Sequence, residues 1–203
     1  MSKDKIIISI GRQYGSGGRE IGQKLAEIFN IAFYDKELLT LAAKQSGFSE
    51  DILEENDEKH NTSFLYSLVM GTYSGGDNLP LNHKLFLAQF DTIKKLAEEK
   101  SCVIIGRCAD YALEYNPNCI KVFIHADIDA RIKRVIDHYG VDPDKVEEVI
   151  KKTDKQRANY YNFYTGKKWG NIENYDITLN TSYVGIDGSV RVLERLIREK
   201  SGL

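Results

Sequence analysis

Residues 6–20 read Ile-Ile-Ile-Ser-Ile-Gly-Arg-Gln-Tyr-Gly-Ser-Gly-Gly-Arg-Glu, and a chain carrying this stretch has few folds open to it. Its first five residues, rich in β-branched side chains, predict a fully buried strand. Four glycines follow within eight positions, Gly11, Gly15, Gly17 and Gly18. An amphipathic pattern then begins, with Ile21, Leu25, Ile28 and Phe29 at helical spacing. Strand, glycine loop and helix in this order form a phosphate-binding layout. Glycines let the backbone approach an anion, and the amides at the helix start point their positive ends at it. The usual form of such a loop ends Gly-Lys-Ser/Thr. Here the lysine and threonine positions carry Gly18 and Glu20, which leaves Arg19 as the cation of the loop. Gly18 is expected to hold a backbone conformation that a lysine would resist.

The rest of the chain alternates strands and helices. Residues 31–34 predict a second strand and 36–46 a helix closed by Gly47, followed by an acidic stretch over 49–61 and an irregular one over 62–81. Phe86, Phe90, Ile93 and Ala97 mark one helix face. Residues 103–105 and 120–124 are the next strands, with a short helix within 107–115 between them. Ile132, Val135, Ile136 and Tyr139 mark a helix ended by Gly140. Asp142-Pro143 predicts the start of another, running towards Tyr164. Residues 176–180 form the last strand, and Ile186, Val190, Leu193 and Ile197 the closing helix. Strands separated by helices imply a five-stranded parallel sheet with helices on both faces.

Bulk properties narrow the function. The chain has 203 residues and a net charge of −2, which gives no global attraction to nucleic acid or anionic membrane. Its apolar runs are too short to span a bilayer. Residues 1–5 lead straight into the first strand, so no signal peptide and a cytoplasmic location are expected. Cys102, Cys108 and Cys119 lack metal spacing and read as reduced thiols, and His60, His83, His125 and His138 are scattered.

Candidate chemistry gathers at strand ends, where open parallel sheets bind ligands. Asp35 ends the second strand and doubles as a helix N-cap candidate. Arg107 follows Gly106 at the end of the third and offers a planar fork suited to phosphate. Between the fourth and fifth strands lies a basic, partly aromatic segment. Arg131 and Arg134 are placed there opposite a helix's apolar stripe, followed by Lys151, Lys152, Asp154, Arg157, Tyr160, Tyr161, Tyr164, Lys167, Lys168 and Trp169. Asp154–Arg157 also reads as a helix-surface pair, of about 0.2–0.5 kcal/mol. A phosphoryl-transfer enzyme needs a mobile cationic cover at this point, which neutralises charge and excludes water.

Taken in order, residues 12–20, 33–37, 104–110, 154–157 and 175–182 resemble the cytidylate kinase-like branch of the nucleoside monophosphate kinases, over nearly the whole chain. The resemblance implies a single P-loop α/β domain, a three-layer sandwich. Its core would be residues 1–35, 99–126 and 172–203, with an acceptor-binding insertion at 36–98 and a lid at 127–168. It also implies ATP and Mg2+ as cofactors and nucleotides as small-molecule substrates. By the same resemblance, Gly15, Ser16, Gly17, Gly18 and Arg19 cradle ATP phosphates, with Glu20 in weak support of the metal. Thr181 and Ser182 lie near adenine. Asp35, Arg107 and Asp110 face the acceptor, Asp154 and Arg157 its sugar and phosphate, while Arg131 and Arg134 lead into the lid. Arg19, Arg131, Arg134 and Arg157 are the implied catalytic cations.

The sequence departs from ordinary cytidylate kinases at Cys108, where an Asp is usual, at Ile150, where a lid arginine is usual, and at residues 158–161. CMP or dCMP is the favoured acceptor. A P-loop kinase for a metabolite hydroxyl, with Asp35 as base, and a nucleotide-binding regulatory module are the alternatives.

Overall fold

The computed structural model describes residues 5–35, 38 and 81–202. Their order is β1 (Ile7–Arg12), α1 (Gly18–Phe29), β2 (Ala32–Tyr34), α2 (Leu81–Glu99), β3 (Cys102–Ile105) and α3 (Ala109–Ala112). There follow β4 (Cys119–His125), α4 (Ile128–Tyr139), α5 (Val146–Thr165), a 3-10 turn at Ile172–Asn174, β5 (Ile177–Asn180) and α6 (Thr181–Ser201). The five strands pair in parallel throughout, in the order β2-β3-β1-β4-β5. The helix expected over 36–46 and the stretches 49–61 and 62–81 lie outside the described residues, apart from Leu38 and Leu81.

Period-two alternation in β1 explains the two layers of core. Ile8 and Ile10 face α1 and α6, where they pack with Ile21, Leu25, Leu193 and Ile197. Ile7 points to the other face, against Ile93, Leu96, Ile104 and Leu113. Most of these side chains are fully buried, each contributing about 1.5–3 kcal/mol of transfer free energy. All three cysteines are buried and free. Burial pushes the Cys102 thiol up to about 12 and the Cys119 thiol up to about 11.

Three local features differ from the sequence reading. β1 runs two residues further than the apolar stretch, through Gly11 and Arg12, because both continue the ladder with β4 opposite Phe123 and Ile124. Asp142-Pro143 opens a turn, not a helix. Asp142 Oδ1 accepts the Asp144 amide at 3.0 Å and closes a local turn, so α5 begins only at Val146. α6 begins at Thr181, five residues before the periodic stretch that starts at Ile186, and kinks between the two at Gly185, which has φ 70 and ψ 178. No helix among the described residues is long and apolar enough to cross a membrane.

Candidate active site

The carboxyl ends of β1, β2 and β3 open onto a cleft of about 480 Å³. Gln13, Tyr14, Gly15, Gly17 and Gly18 form one wall, and Arg12, Arg19, Asp35, Arg107, Tyr139 and Arg157 complete its lining. Backbone geometry builds the glycine wall. Gly15 and Gly17 have φ of 78 and 82, a region that L side chains rarely enter. Side-chain space is closed as well: a Cβ on Gly15 would stand 2.8 Å from Val135 Cγ2, and one on Gly17 would overlap the tip of Ile186. Ser16 is buried and turns its hydroxyl inward, donating to the Gln13 carbonyl at 2.8 Å. The loop therefore presents backbone, and the first amides of α1 have no partner within their own helix. Such a terminus favours an anion.

Gly18 has no positive φ, contrary to expectation. Its constraint is space: a Cβ there would meet Arg12 Cβ at 2.7 Å and Ile124 Cβ at 3.2 Å.

Side chains from distant elements hold this loop in place. Arg131 is buried: four residues before Val135, it lies on the flank of the apolar stripe and not opposite it as expected, and its Nε donates to the Tyr14 carbonyl at 2.7 Å. Asp154 Oδ1 accepts the Tyr14 amide at 2.8 Å, and its Oδ2 pairs with Arg131 Nη2. Tyr14 thus has both polar backbone groups bound by α4 and α5. Its ring stacks on Tyr139 at 5.5 Å, and the Arg157 guanidinium lies 5.6 Å from the ring centroid. Desolvation is the main cause of a raised Tyr14 pKa, with Tyr139 adding to it and Arg157 opposing it. Arg134 pairs with Glu20 across α4 and α1. Thr181 donates to the Ser16 carbonyl at 2.9 Å and approaches the His125 carbonyl at 3.3 Å, tying α6 to the loop. Ser182 accepts the Asp127 amide at 2.8 Å.

Of the residues expected at the site, the cleft brings together Gly15, Gly17, Gly18, Arg19, Asp35, Arg107 and Arg157. Arg19 Nε donates to Asp35 Oδ2 at 2.6 Å across the rim. Arg107 is half-buried, and desolvation lowers its pKa against the opposing influence of Tyr160 and Asp35. Arg157 Nη1 donates to the Arg12 carbonyl at 3.3 Å. The remainder stand behind the lining: Ser16, Glu20, Arg131, Arg134, Asp154, Thr181 and Ser182 brace the loop or its helices. Asp110 lies apart from the cleft lining, buried, where it accepts the Tyr161 hydroxyl at 2.6 Å.

Sequence reasoning missed Arg12, Gln13, Tyr14 and Tyr139 as lining residues. Ending β1 at the last isoleucine left Arg12 in the loop. Carrying the strand two residues on puts it at a carboxyl end, the position that singled out Asp35 and Arg107. Among the described residues, no cluster of three or more ligating side chains suits a metal ion.

The family model "Cytidylate kinase-like family" matches residues 7–183. A cytidylate kinase of Pyrococcus horikoshii is 24% identical over 199 residues, covering 97% of this chain and 91% of that protein. A solved structure of an uncharacterized protein from Eubacterium ventriosum is 35% identical with a TM-score of 0.73, covering 95% of this chain and 98% of that one. The shikimate kinase of Bacteroides thetaiotaomicron superposes with a TM-score of 0.53 at 17% identity, over 95% of this chain and 98% of that one, a likeness of fold alone.

Proposed function

The chain belongs to the cytidylate kinase-like family, and from that premise we propose that it transfers the γ-phosphoryl group of ATP to a nucleoside monophosphate, with CMP or dCMP favoured. One observation carries this reading. Among the described residues, the cleft lining sets four guanidinium groups, Arg12, Arg19, Arg107 and Arg157, against one carboxylate, that of Asp35. Such an excess suits two phosphorylated substrates meeting end to end, whose oxygens would otherwise repel. An acceptor phosphate is already an anionic nucleophile at neutral pH, so no base is required.

The roles follow from chemistry and position. The backbone of residues 15–19 takes the ATP phosphates, and Thr181 and Ser182 support the loop from the adenine side. Arg107 and Arg157 grip the acceptor phosphate, one from the sheet edge and one from α5. Arg131, Arg134 and Asp154 hold α4 and α5 against the loop. The residues present fit Mg2+ carried on the nucleotide. The carboxylates beside the loop, Asp35, Glu20 and Asp154, are already paired with Arg19, Arg134 and Arg131. The ion would accordingly be held through ATP oxygens and water, where it neutralises phosphate charge. Residues 127–168 form the lid in this reading, and residues 36–98 supply the acceptor side.

Asp35 in the cleft favours a second reading, a kinase for a metabolite hydroxyl with this carboxylate as base. ADP formation measured against a panel of nucleoside monophosphates and of hydroxylated metabolites separates the two. Turnover restricted to the hydroxyl compounds rejects the nucleotide acceptor. ATP binding without transfer to any acceptor makes the chain a regulatory binder.

A further inference from the structure

The space a lysine would occupy after the glycine loop is filled by another residue. A Cβ on Gly18 would lie 2.7 Å from Arg12 Cβ and 3.3 Å from Arg12 Cγ, so the stem of Arg12 occupies the slot beside position 18. The far end of the same side chain passes over a second glycine. A Cβ on Gly106 would overlap Arg12 Nη1 and stand 3.0 Å from its Cζ. Arg12 therefore reaches from the end of β1, past the first residue of α1, to the end of β3, lining the cleft throughout. Two bare α-carbons leave room for one guanidinium group.

Arg19, the cation adjacent in sequence, is placed differently. Its Nε donates to Asp35 at 2.6 Å, its guanidinium lies 5.6 Å from the Phe33 ring centroid, and its side chain is 51% exposed. It belongs to the rim.

We propose that Arg12 is the catalytic cation of this site, replacing the loop lysine, and that Gly18 is a glycine because the Arg12 stem fills the space beside it; Gly106, at φ 69, needs glycine for its backbone alone. The proposal rests on the reading of the cleft as a phosphoryl-transfer site. In the step, an acceptor oxygen forms a bond to the γ-phosphorus while the bond from that phosphorus to the β–γ bridging oxygen breaks. The bond's electron pair stays on that oxygen, which leaves as part of ADP. Arg12 remains protonated and stabilises charge on the transferring group without exchanging a proton.

The test compares wild type with Arg12→Gln, which keeps much of the stem and removes the charge, and with Gly18→Lys. ATP turnover is measured with CMP and, separately, as slow hydrolysis without acceptor, and ATP affinity by calorimetric titration. Arg12→Gln is expected to lower both turnovers by about 10²–10³-fold and to change the ATP Kd by less than about fivefold. Gly18→Lys should not gain activity. Turnover of Arg12→Gln within about threefold of wild type overturns the proposal. Should that variant fail to fold, Arg12→Lys decides: retention of about a tenth of wild-type turnover supports a cationic role, and complete loss in a folded protein overturns replacement of a lysine. A wild-type protein that hydrolyses ATP but phosphorylates no nucleotide defeats the acceptor reading alone, because the Arg12 comparison is then read on hydrolysis. Absence of both turnovers defeats the two together.

Discussion

Asp154 accepts the backbone amide of Tyr14 at 2.8 Å from 140 residues further along the chain. The same carboxylate is paired with Arg131, which in turn holds the Tyr14 carbonyl. Side-chain exposure is 7% for Arg131 and 17% for Asp154, so neither charge is well solvated. Asp154→Asn retains an oxygen for the Tyr14 amide but leaves Arg131 uncompensated. Breaking a buried pair from one side costs about 3 kcal/mol or more. We expect a loss of that order in urea unfolding, together with weaker ATP binding as the loop loses its anchor. Unchanged stability combined with altered discrimination between ribose and deoxyribose acceptors would return Asp154 to the sugar role implied by sequence resemblance.

Arg107→Lys tests the acceptor grip. Lysine supplies the charge but not the planar fork, and one charge-assisted hydrogen bond contributes about 1.5–3 kcal/mol. The acceptor KM should rise about tenfold or more, while the ATP KM stays within about twofold. A shift confined to the ATP KM would move Arg107 to the other substrate.

The split between what the sequence revealed and what it concealed has a physical basis. Strands and most helices were readable because burial on both faces makes a continuous apolar run around Ile7, Ile8 and Ile10, and burial of one face imposes period 3.6 on Val190, Leu193 and Ile197. Gly15 and Gly17 were readable as an anion cradle because the turn requires a conformation that other residues avoid. Contacts made by charged side chains carry no period. The i,i+4 spacing to Val135 puts Arg131 on the flank of the buried stripe of α4, but nothing in the pattern shows that it meets a carbonyl 117 residues away, or that Asp154 meets it from α5. Gly18 shows the same limit from the other side. A glycine in sequence suggests conformation, and only the packing shows that this one leaves room for Arg12.

Arg19→Ala should have a modest effect. Its pair with Asp35 lies half in solvent, where such pairs contribute about 0–1 kcal/mol. Turnover is expected to fall by less than about tenfold, with a small change in stability. A loss of about 10²–10³-fold, the scale of removing an essential electrostatic donor, would restore to Arg19 the catalytic role implied by the sequence.

Asp110 provides a prediction in pH. It is buried, and desolvation raises its pKa above the ordinary value, against the lowering effect of the Tyr161 hydroxyl and of nearby backbone amides. The folded protein therefore holds a proton on this carboxyl at pH values where the unfolded chain has released it. Stability falls with rising pH wherever the folded state binds more protons. The Asp110 contribution is thus fully favourable below the unfolded value of about 4 and declines as pH rises towards the folded value. Asp110→Asn keeps an oxygen for Tyr161 and removes the titration. Urea midpoints of the two proteins, compared from about pH 4.5 to 8, should diverge with increasing pH in favour of the variant. If the midpoints instead run parallel while the acceptor KM of Asp110→Asn rises, Asp110 is ionised in the folded protein and acts on the substrate, as the resemblance to the ordinary kinases implies.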